Sequence, residues 1–182
     1  MSSSFSQPRP ALRVLEGGLD STVIWSWFCG HCAAPAPGNG PPAPSARVCR
    51  SCGLGLLLEA RQDVIPTSRD AFLVIDSGLL VHAMSRRAQS LLGVDEELAV
   101  NKPVTELLMP ADAEAQSRTS FAAAIAQAVE GEGQDATYKI VRPWNTFGVR
   151  MRARIAACGP PRAALLVLEN TGARVLHAVE DR

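Results

Sequence analysis

The last two thirds of the chain begin, after residue 69, with two short apolar segments separated by a turn sequence. Ala71–Ile75 is continuously apolar and predicts a buried strand. Asp76-Ser-Gly78 follows, a turn sequence of the kind that closes a hairpin. Leu79–Ala83 then predicts the return strand, so the segment begins with a β-hairpin.

Short helices are predicted after this hairpin. Ser85 can cap a helix that runs to Leu92 and ends at Gly93. Two further helical pieces are predicted over residues 95–99 and 103–109. The longest helix is predicted from Ala111 to Val129, because apolar residues recur there every fourth position, at Phe121, Ile125 and Val129.

Three strands are predicted at the end of the pattern, over residues 136–141, 147–158 and 163–168. The middle one alternates apolar residues with arginines, which predicts one buried and one polar face. The whole order predicts an α+β domain, a five-stranded antiparallel sheet with helices on one face.

The first third has a different pattern. Residues 21–28 and 54–59 predict two strands, and the Pro-rich stretch 33–45 between them excludes both helix and central strand. Trp25 and Trp27 share one face of the first strand, so we expect them to pack this module onto its neighbour. The chain therefore divides into a leader (1–20), a small β module (21–60), a linker (61–69), the α+β domain (70–172) and a tail (173–182).

Four cysteines in the small module form two close pairs, Cys29-Gly-His-Cys32 and Cys49-Arg-Ser-Cys52. Two such pairs supply the four thiolates of a closed tetrahedral zinc site. A module of about 45 residues has too little core to fold alone, so metal binding is expected to supply the missing stability. The prediction is a structural zinc ribbon with Cys29, Cys32, Cys49 and Cys52 as ligands.

Other interpretations of the cysteines stay open. The pairs also fit thioredoxin-like redox sites, and the quartet fits iron or an iron–sulfur cluster. His31 lies inside the first pair and is expected to neighbour the site or face solvent, because four thiolates already complete it. Cys158 is expected to be a small buried residue.

Charge and composition restrict the function classes. The net charge is zero, and residues 1–65 carry five arginines against four acids, so the basic footprint of a nucleic-acid binder is absent. No apolar run approaches the roughly 20 residues of a membrane span, and the first ten residues lack the layout of a signal peptide. Arginine outnumbers lysine sixteen to two, which favours a GC-rich bacterial source. These features predict a cytoplasmic protein.

The order of elements and the residues at their joints resemble a PAS sensor domain over residues 68–172. The resemblance lies in three segments, Ala71-Phe-Leu-Val-Ile-Asp-Ser-Gly78, Val81-His-Ala-Met-Ser-Arg-Arg-Ala-Gln-Ser-Leu-Leu-Gly93 and Asn101-Lys-Pro-Val-Thr-Glu-Leu-Leu-Met-Pro-Ala-Asp112. Two positions depart from the family pattern. Ser85 stands where Asn is frequent, and Asn101 replaces the usual Gly. Both replacements can still cap or turn the chain.

The resemblance implies a sensor or protein-interaction domain with a ligand pocket between the long helix and the sheet. Candidate pocket residues are Ser85, Phe121, Ile125 and Met151. Residues 101–109 contain no cysteine for a flavin adduct, and 111–129 contain no histidine for haem. The small-molecule ligand is therefore unknown.

Arg150, Arg152 and Arg154 form a row on one strand face. The row is either the solvated or linker-facing side of the sheet, or a contact surface for an acidic partner segment.

The sequence contains no catalytic constellation, P-loop or dinucleotide fingerprint, so we expect a protein that is not an enzyme. The function predicted is a bacterial cytoplasmic regulatory protein that acts by binding, with a protein partner and PAS-mediated homodimerisation as expected interactions. Two rival hypotheses are a zinc-ribbon nucleic-acid-binding regulator and a thiol redox switch.

Overall fold

The computed structural model describes residues 23–38, 40–111, 120–131, 135–146 and 149–170. The predicted leader (1–20), the tail (173–182) and residues 112–119 of the longest predicted helix lie outside the described residues. Among the described residues, no helix is long and apolar enough to cross a bilayer.

The small N-terminal module, called the ribbon below, is a two-stranded antiparallel sheet. Strand β1 spans Trp25–Cys29 and strand β2 spans Leu57–Arg61, and Trp25 pairs with Arg61 at one end and Cys29 with Leu57 at the other. The described strands begin at Trp25 and Leu57, later than the sequence patterns 21–28 and 54–59 predict, and the turn of the second cysteine pair lies directly before β2.

The larger sheet is antiparallel and has the spatial order β4-β3-β8-β7-β6-β5. Its strands are β3 (Ala71–Ile75), β4 (Val81–Met84), β5 (Leu108–Pro110), β6 (Thr137–Pro143), β7 (Met151–Cys158) and β8 (Ala163–Asn170). The five predicted strands are present, and the predicted α+β class is confirmed. The strand count differs by one, since residues 103–109, predicted to be helical, form a single turn at Val104–Glu106 and then the edge strand β5.

Among the residues that the structure describes between β4 and β6, three segments form α-helices. Helix α1 spans Arg86–Leu92, α2 spans Glu96–Ala99 and α3 spans Phe121–Glu130. Ser85 caps α1 by accepting a hydrogen bond from the Ala88 amide, and Gly93 ends it in the left-handed conformation. Helix α3 has its own cap at Ser120, so the described part of the longest predicted helix begins there rather than continuing from residue 111.

The large sheet is covered on both faces. On one face, α1 and α3 pack over Leu73, Ile75, Ile155 and Leu166. On the other, the ribbon residues Phe28, Leu58 and Ala60 pack over alternate residues of the same strands: Phe72, Val74, Ala156, Leu165 and Val167. The helices therefore occupy one face, as expected, and the ribbon occupies the opposite one.

Candidate metal centre and its contact with the sheet

The four cysteines of the ribbon converge on one point. Their Sγ atoms all lie within 4.8 Å of one another. Two of the sulfur pairs that cross between the turns are Cys29–Cys52, 3.7 Å apart, and Cys32–Cys49, 3.8 Å apart. Four thiolates at 2.3 Å from one tetrahedral ion would be about 3.8 Å apart. The spacing therefore fits a single metal ion, and the four cysteines are positioned to bind one.

Backbone amides turn towards the sulfur atoms. The amides of His31 and Cys32 each lie 3.4 Å from Cys29 Sγ, and the amide of Gly55 lies 3.5 Å from Cys52 Sγ. Gly55 itself fits closely against the first cysteine pair: a Cβ atom there would overlap Cys29 Sγ and lie 2.7 Å from His31 Cβ. Each turn is thus shaped to present thiolates and leaves little room for rearrangement.

The thiols differ in acidity. Burial raises the pKa of Cys29 far above its ordinary value, and burial likewise raises the pKa of Cys32. Burial also acts to raise the pKa of Cys52, but the amides of Gly55 and Leu54, with the neighbouring thiols, outweigh it and lower this pKa to about 6. A buried thiolate needs a compensating positive charge, and a metal ion bound by the four cysteines would supply it.

His31 connects the first cysteine pair to the PAS-like domain. It is 6% exposed, and its Nδ1 lies 2.8 Å from Glu96 Oε2 at the start of α2. The other carboxylate oxygen of Glu96 accepts a hydrogen bond from the Met84 amide at 2.8 Å. His31 therefore neighbours the site, one of the two placements expected for it, and Glu96 holds it there.

Phe28 anchors the ribbon on the larger sheet. The expectation that Trp25 and Trp27 pack this module onto its neighbour is wrong. Phe28 is fully buried and meets Phe72 edge to face, with ring centroids 6.4 Å apart. Trp25 is 49% exposed, and Trp27 packs beside the cysteine quartet with the Arg47 guanidinium 6.0 Å from its ring centroid. Side chains alternate along β1, and the face that meets the sheet is the one that carries Phe28.

The four pocket candidates lie in two different surroundings. Phe121, Ile125 and Met151 are buried together in the core under the helices. Ser85 lies outside this core, and its hydroxyl group is used in backbone hydrogen bonds. It accepts hydrogen bonds from the amides of Phe72 and Ala88 and donates one to the Asp70 carbonyl.

Among the described residues, two cavities have walls from both the ribbon and the larger domain, and His31 lines both of them. One, of about 540 Å³, has apolar walls from both parts of the chain and two acids at its rim; it is lined by Leu54, Leu56, Leu58, Ala83, Glu96 and Glu97, among others. The second, of about 450 Å³, is more polar and includes Ser51, Cys52, Ser85 and Arg86. Both depend on the ribbon for part of their walls.

The arginine row divides between two roles. Arg154 is largely covered and donates a hydrogen bond to the Asp63 carbonyl in the linker at 2.7 Å. Arg152 is exposed, forms an ion pair with Glu169 and lies 5.0 Å from the centroid of the Tyr138 ring. Arg150 is exposed and also has an interaction partner. The row therefore has a linker-facing end and a solvated end.

Sequence patterns missed Glu96 and Phe28 as contact residues. Glu96 follows a cap position in a short helix, and nothing in its neighbourhood points to a histidine 65 residues earlier. Phe28 has a weak signal, since it is the large apolar residue on the strand face opposite the tryptophans.

The joints of the PAS resemblance adopt the conformations that it implies. Asp76 Oδ1 accepts hydrogen bonds from the amides of Gly78 and Leu80, at 2.8 and 2.9 Å, and closes the β3–β4 turn. Ser85 caps α1 as an Asn would. Asn101 has φ of 64°, in the left-handed region where Gly is otherwise favoured. Both departures from the family pattern therefore fulfil the same backbone roles.

No family model matches the chain, and a comparison with curated proteins found no match. Among solved structures, the PAS domain of nitrogen regulation protein NR(II) from Vibrio parahaemolyticus aligns at 14% identity with a TM-score of 0.41, over 56% of this chain and 88% of that one. The PAS domain of an HTR-like protein from Haloarcula marismortui aligns at 14% identity with a TM-score of 0.40, over 56% and 85%. A chain of the E. coli DhaR(N)–DhaL complex aligns at 16% identity with a TM-score of 0.37, over 56% of this chain and 31% of that one.

The strand order of the larger sheet and the backbone roles of Asp76, Ser85 and Asn101 fit the PAS resemblance of residues 68–172. The chain thus combines a PAS-like domain with a ribbon whose four cysteines are positioned to bind a metal ion.

Proposed function

We propose that this chain is a bacterial cytoplasmic regulatory protein that acts by binding and not by catalysis. Its PAS-like domain serves as a sensor or protein-interaction domain, and its ribbon is a structural zinc module. The observation that carries the proposal is the convergence of four thiol sulfurs at tetrahedral spacing on the face of the sheet opposite the helices. Four thiolates leave no open coordination position for a substrate, so the metal holds structure together.

Zinc is the metal that fits this role best, because it favours four tetrahedral thiolates and has no redox chemistry of its own. Metal analysis of the purified chain should give one zinc per chain. Cys49→Ser should lower that content sharply, and Cys158→Ser should leave it unchanged, because Cys158 is buried between ribbon and sheet away from the quartet. A metal-free preparation that folds normally, or a visible iron spectrum, would contradict this assignment.

The division into a ribbon (21–60), a linker (61–69) and a PAS-like domain (70–172) is part of the proposal. It is supported by the separate core on the helical side of the sheet, whose described residues all lie outside the ribbon. Metal removal should release the ribbon while this core remains packed.

The partner surface proposed is the part of the sheet face that the ribbon leaves uncovered. Tyr138 is 51% exposed there, and Arg152 lies over its ring with its charge near solvent. An aromatic ring and a guanidinium suit an acidic protein segment or a second PAS-like domain. Arg152→Glu should abolish the binding of a Glu-rich test peptide, or the formation of a dimer as measured by sedimentation. The control is Arg162→Glu, an exposed change at the far end of the β7–β8 hairpin, which should affect neither. Equal binding by the two variants would remove this surface from the proposal.

A thiol redox switch is the second candidate, and the low pKa of Cys52 favours it. Thiol titration with and without a chelator separates the two functions. A zinc site masks four thiols until the chelator is added, whereas a redox pair holds no zinc and stays reactive or oxidised. A bound flavin or haem, for which no ligand residue is identified, would be visible in the absorption spectrum.

A further inference from the structure

A single carboxylate joins the candidate metal centre to the PAS-like domain. Glu96 reaches His31 of the first cysteine pair with one oxygen and the Met84 amide of β4 with the other, both at 2.8 Å. Glu96 is the first residue of α2, and Met84 is the last residue of β4. The contact therefore links the cysteine turn, a helix and a strand of the larger sheet.

The imidazole of His31 is not free to move independently of the cysteines. The His31 amide is directed at Cys29 Sγ, 3.4 Å away, so the His31 backbone belongs to the turn that presents the thiolates. Gly55 packs against the same residue so closely that even a methyl group there would overlap it. A change in the geometry of the cysteine quartet therefore displaces the imidazole and its bond to Glu96.

The position of Glu96 allows a displacement of the His31 imidazole to affect the PAS-like domain. Its side chain is 25% exposed, and both of its oxygens have partners, one in the ribbon and one in the PAS-like domain. The adjacent Glu97 is exposed and has neither contact. The two neighbouring acids thus form a natural comparison within one helix.

We propose that Glu96 is a positioning residue of the metal centre and that it couples metal binding to α2 and β4 of the PAS-like domain. This inference rests on the metal site of the proposed function. Coupling of two sites is reciprocal. Metal binding orders the Glu96–Met84 contact, and a partner or ligand that shifts α2 changes metal affinity in return.

The coupling also bears on the 540 Å³ cavity, since Glu96 lines it together with ribbon and PAS-like residues. Metal state then sets the shape of that cavity without any ligand contacting the metal.

The test uses the full chain and two measurements. The first is zinc affinity, by competition with a chromophoric chelator, for the wild type, His31→Ala, Glu96→Ala, the double variant and Glu97→Ala. We expect each of the first two changes to weaken zinc binding by about tenfold, which is typical for residues that orient a ligand set. The double variant should be no weaker than the worse single variant, because both changes break the same contact. Glu97→Ala should bind as the wild type.

The second measurement is hydrogen exchange at the Met84 amide with zinc bound and after chelation. In the wild type and in Glu97→Ala, chelation should speed exchange about tenfold or more. In His31→Ala, the Glu96–Met84 bond remains but the His31 link to the quartet is gone, so the Met84 rate should respond to chelation less than in the wild type. This response distinguishes coupling from a purely local role of Glu96 in α2.

The outcomes separate this inference from the proposed function. Absence of zinc binding by the wild type would refute the metal site itself. Three results would overturn the coupling and leave the metal site standing. They are wild-type zinc affinity in Glu96→Ala, multiplied effects in the double variant, and a Met84 rate that follows chelation as strongly in His31→Ala as in the wild type. Should Glu96→Ala fail to fold, Glu96→Gln replaces it in the same cycle.

Discussion

Phe28 of the ribbon meets Phe72 of the sheet edge to face, with the two ring planes at 71°. Both rings are fully buried, and Phe72 is in the same strand as the residues that face the helices. The strand β3 is thus shared by two packed layers, and the ribbon forms one of them.

Phe28→Ala should lower the free energy of unfolding by about 3–5 kcal/mol, because it removes a buried ring and leaves a cavity between the layers. Trp25→Ala, on the same strand but half exposed, should cost much less. Chemical unfolding of the zinc-loaded proteins measures both. Equal losses would mean that Phe28 does not anchor the ribbon.

Chelation of the metal should release the ribbon and keep the core under the helices folded. The sheet face that carries Phe72, Val74 and Leu165 would then meet water, so binding of a hydrophobic dye should increase while β7 and α3 keep their amide protection. The measurement is hydrogen exchange resolved by segment. Simultaneous loss of protection in residues 23–60 and in α3 would show one cooperative unit and contradict the division into two parts.

Ser85→Ala should destabilise the PAS-like domain by about 2 kcal/mol. The change removes the cap of α1 and leaves the buried Phe72 amide without its acceptor. Ser90→Ala in the same helix is the control, since Ser90 is exposed and bonds only to the preceding turn. Thermal unfolding compares them, and a Ser85 variant as stable as the Ser90 variant would refute this role.

Gly55→Ala should weaken zinc binding by about tenfold or more, because the added methyl group overlaps Cys29 Sγ and His31 Cβ. Gly40→Ala is the matched change, since a Cβ at that position in the loop between the cysteine pairs meets nothing within 4 Å. Competition with a chelator measures both affinities. Unchanged binding in Gly55→Ala would mean that the turns can rearrange around the metal.

Much of the fold was predictable from local patterns. The apolar run of β3, the Asp76 turn and the Ser85 and Gly93 caps each depend on a few neighbouring residues, and the structure confirms them. The continuity of the run in β3, with no polar alternation, is also what a strand covered on both faces requires.

The remaining features depend on contacts between distant residues. Residues 108–110 form a strand because β6 lies beside them, although their own sequence favoured a helix. The convergence of the cysteines follows from their spacing. The contacts of His31 with Glu96 and of Phe28 with Phe72 form only because the ribbon packs against the larger sheet. Spacing along a sequence carries no information on such docking.

The Pro-rich loop between the cysteine pairs has a practical consequence. Gly40, Pro41, Ala43 and Pro44 are exposed and lie away from the quartet, which is fixed by the two turns at the ends of the loop. Lengthening a flexible loop twofold costs only about 0.6 kcal/mol of closure entropy. This loop is therefore a suitable place for inserting a peptide tag or a fluorescent reporter that would follow the ribbon in the cell.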